Sequence, residues 1–171
     1  MSKIPRAVIA DDERLMRDQL RARLQQVWPE LEIVAEAKNG LEAVQAVSEH
    51  VPDVIFLDIR MPGLTGVEAA KEIAQLDLGD DALLPEMVFI TAYDQYAMDA
   101  FEQGVVDYVL KPVEPERLKL TAARLKTRWM QRTHDLNGQV MGDVSAAAKV
   151  PAANHALASH SVQQLLHSLS A

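Results

Sequence analysis

The 171-residue sequence predicts a doubly wound α/β sandwich on a five-stranded parallel sheet. Two observations carry this: five short segments that are apolar almost throughout, and amphipathic segments of helical spacing between them. Strands apolar on both faces need helices on both sides, and right-handed crossovers wind the chain outward from the middle of the sheet. In such sheets ligands bind at the carboxyl ends of the strands.

The elements follow in order. Residues 4–10 form an apolar run that stops at Asp11-Asp12, and Met16, Leu20, Leu24 and Val27 then recur at helical spacing until Trp28-Pro29 ends the pattern. Residues 31–37 are strand-like, and Asn39 is placed to cap a helix carrying Leu41, Val44 and Val47. Val54-Ile55-Phe56-Leu57 is wholly apolar and ends at Asp58. A Pro62-Gly63 turn leads to a helix over residues 65–76, and residues 77–85 are polar and read as a loop. Met87 to Ile90 is a fourth strand ending at Thr91, followed by a short fourth helix over residues 95–102. Residues 105–110 are the fifth strand, ending at Lys111-Pro112. A fifth helix from Glu114 sets Leu118, Ala122, Leu125 and Trp129 on one stripe.

Composition agrees with a globular domain: 49% of residues are apolar and 25% charged. No apolar run approaches a bilayer span, the first residues lack the apolar stretch of a signal peptide, and there is no cysteine. No membrane association is expected, and the expected location is cytoplasmic. Residues 1–111 hold 10 Lys/Arg against 21 Asp/Glu, net −11, and residues 112–171 hold 7 against 4, net +3. An acidic body disfavours direct nucleic-acid contact and suits divalent cations.

The residues at the strand ends carry the chemistry. Asp11, Asp12, Asp58, Thr91 and Lys111 fall at four of the five carboxyl ends. Carboxylates gathered this closely repel unless a cation compensates them. Hard oxygen donors without histidine or thiol select magnesium, or manganese. Asp58 is then the natural nucleophile toward phosphorus, with the Thr91 hydroxyl and the Lys111 ammonium each suited to a phosphoryl oxygen. Singly, each has a plainer role: Asp11-Asp12 as a helix cap, Thr91 as a strand end, Lys111 as a solvated cation.

Together these residues match a known family. The acidic pair after Val8-Ile9-Ala10, the segment Val54-Ile55-Phe56-Leu57-Asp58-Ile59-Arg60-Met61-Pro62-Gly63-Leu64-Thr65-Gly66, Phe89-Ile90-Thr91-Ala92, and Asp107-Tyr108-Val109-Leu110-Lys111-Pro112 resemble the receiver domain of two-component response regulators over residues 3–130. The resemblance implies a flavodoxin-like, CheY-like fold and phosphorylation of Asp58 by a sensor histidine kinase. It implies Mg2+ (or Mn2+) held by Asp12, Asp58 and the backbone carbonyl of Arg60, with Asp11 acting through water. Thr91, Ala92 and Lys111 would contact the phosphoryl group, across a cis Lys111-Pro112 bond that aims the ammonium inward. Thr91 and Tyr108 would form the switch: Thr91 moves to the phosphate, the Tyr108 ring turns inward, and the surface of the fourth helix, fifth strand and fifth helix is reshaped.

Residues 91–102 and 107–118 look like the LytR/AlgR type, whose receivers precede a LytTR DNA-binding domain. That implies a phosphorylation-dependent homodimer that reaches DNA only through an output domain outside this chain. Residues 1–130 are thus assigned to the receiver and 131–171 to an Ala/Ser-rich linker, with spacing for a short helix over 161–169. A receiver-plus-linker portion of a longer regulator is the expectation, against a single-domain protein.

Other readings are weaker. A phosphatase of the haloacid-dehalogenase type needs a second Asp two positions after the nucleophile, where this chain has Arg60. An unphosphorylated scaffold would not need the complete acidic and lysine set. No enzymatic activity beyond self-phosphorylation and dephosphorylation is expected. Arg117, Lys119, Arg124, Lys126, Arg128 and Arg132 make the last helix basic, suiting DNA, a dimer surface, or pairing with acidic neighbours. His134, His155, His160 and His167 lack regular metal spacing and are read as solvent-facing; Trp129 and Met130 are expected at an exposed helix end.

Overall fold

A computed structural model describes residues 3–92 and 104–137. The strands are β1 (Arg6–Ala10), β2 (Glu32–Ala37), β3 (Val54–Leu57), β4 (Glu86–Thr91) and β5 (Asp107–Leu110). The helices are α1 (Arg14–Val27), α2 (Gly40–His50), α3 (Gly66–Ala74) and α4 (Pro115–Asn137), the last being the predicted fifth helix. The segment predicted as a helix over 95–102 lies outside the described residues, as do the predicted helix over 161–169 and His155, His160 and His167.

The sheet is parallel throughout, in the order β2-β1-β3-β4-β5. The central strands β1, β3 and β4 are buried along almost their whole length, whereas β2 at one edge is mostly half-buried. Alternate residues serve opposite faces, as the pleat requires. Val8, Ile55, Leu57 and Phe89 pack with Ala43, Val47, Ala69 and Ile73 of α2 and α3. Ile9, Phe56, Val88 and Val109 pack with Leu20 and Leu24 of α1 and Leu118 and Leu125 of α4. Each large apolar side chain buried this way contributes about 2 kcal/mol.

Local chemistry sets the helix ends. The Asn39 side chain accepts from the Glu42 N–H at 2.8 Å, so the predicted cap of α2 is present. Thr65 and Glu68 form a reciprocal capping box that starts α3 at Gly66. Pro115 opens α4, where a missing N–H costs nothing. The predicted helix over 65–76 closes earlier, with Gln75 as its C-cap, and the predicted strand over 105–110 pairs only from Asp107.

Helix α4 runs to Asn137, beyond the boundary expected at residue 130. Arg128 pairs with Glu86 at 3.0 Å, and Arg132 donates to the Leu84 carbonyl at 2.7 Å and the Asp53 carbonyl at 3.2 Å, so this part of the helix packs on the body. Trp129 is half-buried rather than exposed, while Met130 is 60% exposed. Arg117 and Arg124 pair with Asp107, and Lys126 sits 5.8 Å over the Trp28 ring. Acidic neighbours and ring faces within the fold thus occupy much of the basic helix. His134 is exposed, as expected. Among the described residues no helix is long and apolar enough to cross a membrane.

Asp107 is a buried carboxylate at the start of β5, 1% exposed. It accepts from Arg117 at 2.7 and 2.9 Å, from Thr121 Oγ1 at 2.7 Å and from the Tyr108 N–H at 2.9 Å, tying β5 to α4. Burial alone would raise its pKa, but those hydrogen bonds outweigh it and hold the group below the usual carboxylate value. A carboxyl with a lowered folded pKa contributes stability above its unfolded value, lost as pH falls through the folded one. Asp107→Asn is therefore expected to lower unfolding free energy by about 2 kcal/mol at neutral pH. In urea titrations the gap from the parent chain should close below about pH 4.

Candidate functional site

The ends of β1, β3, β4 and β5 converge because each is tied to its neighbour. The Asp58 N–H donates to the Ala10 carbonyl at 2.8 Å, and the Lys111 N–H to the Thr91 carbonyl at 2.8 Å. The Asp11 N–H donates to the Ala37 carbonyl of β2 at 3.0 Å. Parallel pairing thus gathers residues that are up to 100 positions apart in the chain.

Lys111 is the centre of the cluster. Its Nζ donates to Asp11 Oδ2 at 2.6 Å and to Asp58 Oδ2 at 3.2 Å, with its side chain 14% exposed. The Lys111-Pro112 peptide is cis, as the resemblance implied. Burial acts to lower the lysine pKa, yet the hydrogen bonds and charges of Asp11 and Asp58 prevail and leave it raised. The ammonium is firmly protonated.

Asp58 experiences the opposite balance. Burial raises its pKa most, the Lys111 ammonium opposes this, and the Asp11 and Asp12 charges add to the rise, leaving it at about 6. A carboxylate this strained by burial gains from any cation brought beside it.

The acidic pair does not cap α1. The N-cap is Glu13, without a side-chain cap bond, and Asp11 Oδ1 instead accepts from the Glu13 N–H at 2.9 Å. Carboxylate oxygens of Asp11, Asp12 and Glu13 lie within 4.8 Å of one another. Glu13 was not among the sequence-predicted ligands, though the uninterrupted acidic run 11–13 was the available signal. Asp58 stands outside that trio and shares the Lys111 ammonium with Asp11. Asp12 is exposed and faces a cleft of about 610 Å³ that Arg60, Pro62 and Thr65 also line.

Thr91 is fully buried, and its Oγ1 has no hydrogen-bond partner among the described residues. A buried hydroxyl left so costs free energy unless something accepts from or donates to it. Ala92 follows it at the surface. Tyr108 lies inward already, 8% exposed, its ring edge-on to Phe89 with centroids 6.5 Å apart.

The backbone beside Asp58 needs glycine. A Cβ on Gly66 would come within 2.2 Å of the Asp58 carbonyl oxygen and 2.8 Å of Ile59 Cα, so α3 can start against this loop only with no side chain there. The Gly66 N–H uses that approach to donate to the Ile59 carbonyl at 2.7 Å. At the Pro62-Gly63 turn, Gly63 has φ of 74°, the left-handed region that glycine enters freely.

The donor set fits a hard cation: carboxylate oxygens with no histidine or thiol beside them suit magnesium or manganese. The orphaned Thr91 hydroxyl and the Lys111 ammonium fit phosphoryl oxygens. Sheet order and site together define a doubly wound domain with an acidic pocket at its carboxyl edge. The profile of the response regulator receiver domain matches residues 7–123, and the chain belongs to that family.

Relatives agree. An uncharacterized response regulatory protein of Vibrio cholerae is 48% identical over 126 residues, covering 74% of this chain and 46% of its own length. The transcriptional regulatory protein BtsR of Escherichia coli K12 is 43% identical over 121 residues, covering 71% of this chain and 48% of its own. The chain therefore spans about half the length of the curated relatives it matches. The response regulatory domain of mrkE from Klebsiella pneumoniae superposes with a TM-score of 0.66 at 34% identity, over 74% of this chain and 98% of that one. The receiver domain of AraT from Geobacillus stearothermophilus gives 0.67 at 34%, over 77% and 99%.

The raised Asp58 pKa makes a testable statement. An acid whose folded pKa lies above its unfolded value contributes stability below the unfolded value, and that stability is lost as pH rises through the folded one. Between 3.8 and about 6 the metal-free chain thus loses stability that an uncharged side chain would keep. With a chelator present, Asp58→Asn is expected to be about 1–3 kcal/mol more stable than the parent at about pH 7.5. Thermal melts should show that advantage shrinking toward about pH 4.

Proposed function

We propose that this chain is a phosphorylation-operated switch: a sensor histidine kinase donates a phosphoryl group to Asp58 beside a magnesium ion. The observation that supports this best is the Lys111 bridge between Asp58 and Asp11, next to a buried Thr91 hydroxyl with no hydrogen-bond partner among the described residues. Asp12, Asp58, the Arg60 carbonyl and, through water, Asp11 would hold the ion. The ion supplies positive charge at the transferring oxygens.

The chain's own residues do the rest. An Asp58 oxygen forms the new bond to phosphorus as the bond to the donor nitrogen breaks, and the donor imidazole keeps that electron pair. Lys111 neutralises one phosphoryl oxygen and Thr91 donates its hydroxyl to another, with the backbone at Ala92 alongside. Drawing Thr91 toward the phosphate changes the packing beside Tyr108, whose ring shares a core with Phe89. Because Tyr108 is already inward, the switch acts by locking that orientation rather than creating it.

Exposed Leu110, Leu120 and Met130, at 45%, 59% and 60%, lie on β5 and α4 and support a self-association surface there. By resemblance to LytR/AlgR regulators, the output is a LytTR-type DNA-binding domain beyond this chain. The expected location is cytoplasmic.

Incubation with magnesium and acetyl phosphate is expected to add a phosphoryl group, read by intact mass. The adduct should be absent without magnesium and in Asp58→Asn, and an adduct persisting in that variant would sink the assignment. Separately, sedimentation at tens of micromolar should show a mass increase when beryllofluoride and magnesium are added. An unchanged mass would remove self-association from the proposal.

A further inference from the structure

Asp12, the exposed member of the acidic pair, takes its direction from the peptide that joins it to Asp11. That peptide is planar, so holding its carbonyl oxygen holds the plane from which the Asp12 side chain departs. The oxygen is held: Arg17 Nη1 donates to the Asp11 carbonyl at 2.7 Å. The same guanidinium donates through Nε to Glu36 Oε1 at 2.9 Å, and its side chain is only 15% exposed. Glu36 is the penultimate residue of β2, directly before Ala37, whose carbonyl receives the Asp11 N–H at 3.0 Å. One strand end therefore braces the Asp11 backbone on both sides, directly through Ala37 and by way of Arg17 through Glu36.

We propose that Arg17, buttressed by Glu36, is a positioning residue of the cation site, fixing the Asp11–Asp12 peptide so that Asp12 points to the ion. The inference rests on the reading of Asp11, Asp12 and Asp58 as the magnesium site. Guanidinium chemistry is required for it. The fork reaches a carbonyl and a carboxylate at once, whereas a single ammonium on a thinner stem does not hold both in one plane.

The charge of Arg17 and its positioning act in opposite directions on a cation. Removing a positive group beside carboxylates tightens cation binding by Coulomb's law; freeing the peptide weakens it. The sign of the change separates the two.

Magnesium titration by calorimetry on the full chain, with parallel thermal melts, tests this. Arg17→Gln is expected to weaken magnesium affinity by about tenfold, Arg17→Lys by less, and Glu36→Gln also by less, since Arg17 can still reach the carbonyl. Arg14→Gln removes an exposed cation of the same helix that pairs with Asp18, and should bind as tightly as the parent or slightly more so. If the parent binds magnesium and Arg17→Gln binds it equally or more tightly, the positioning role is overturned while the metal site stands. If the parent itself does not bind magnesium, the metal site fails and the positioning role with it. A lowered melting temperature with unchanged affinity would also overturn it, leaving Arg17 a merely structural tie.

Discussion

Asp11, Asp58 and Lys111 meet at one edge of the sheet, where the lysine ammonium lies 2.6 Å from one carboxylate and 3.2 Å from the other. Most of what is unusual in this domain follows from that meeting. Buried carboxylates are tolerable only beside positive charge, and one lysine does not fully compensate the acids around it. Burial, with the Asp11 and Asp12 charges added, leaves the Asp58 pKa raised despite that lysine, and the pocket suits a hard cation.

The sheet exists, functionally, to hold that balance in place. Ala10, Leu57 and Thr91 are ordinary strand-end positions, but their parallel register puts β1, β3 and β4 side by side and lets β5 deliver Lys111 from the edge. Two further ties keep the edge elements from drifting. Asp107 binds β5 to α4 through Arg117 and Thr121, and Glu36 binds β2 to α1 through Arg17. Gly66 allows α3 to close on the Asp58 loop without displacing it. The site is thus stabilised from all sides by contacts that have no chemical part in it.

Much of the fold was legible because its signals are local. A run such as Val54 to Leu57 has no polar face, and its shortness and β-branched residues between Pro52-Asp53 and Asp58 mark it as a strand covered twice. Asn39, Pro62-Gly63 and Pro112 mark turns and caps by their own backbone chemistry. Trp129 lies on the apolar stripe of α4 and is half-buried, not exposed, because this end of the helix packs on the body, which its place near the end of the helical pattern does not report. The packing of α4 past residue 130 was not legible because the contacts of Arg128 and Arg132 with Glu86, Asp53 and Leu84 span over forty residues and leave no trace in local composition.

By itself, then, the sequence determined the strand–helix alternation and the identities of Asp11, Asp12, Asp58, Thr91 and Lys111 at the strand ends, since both follow from hydropathy period and position in the chain. Only the tertiary structure decided how those groups share charge. It set Lys111 between Asp11 and Asp58, left the Thr91 hydroxyl without a partner among the described residues, buried Tyr108 and brought Arg17 under the Asp11 carbonyl. Charge balance and hydrogen bonding depend on distances of a few ångströms between residues far apart in the chain, and those distances exist only once the strands are paired.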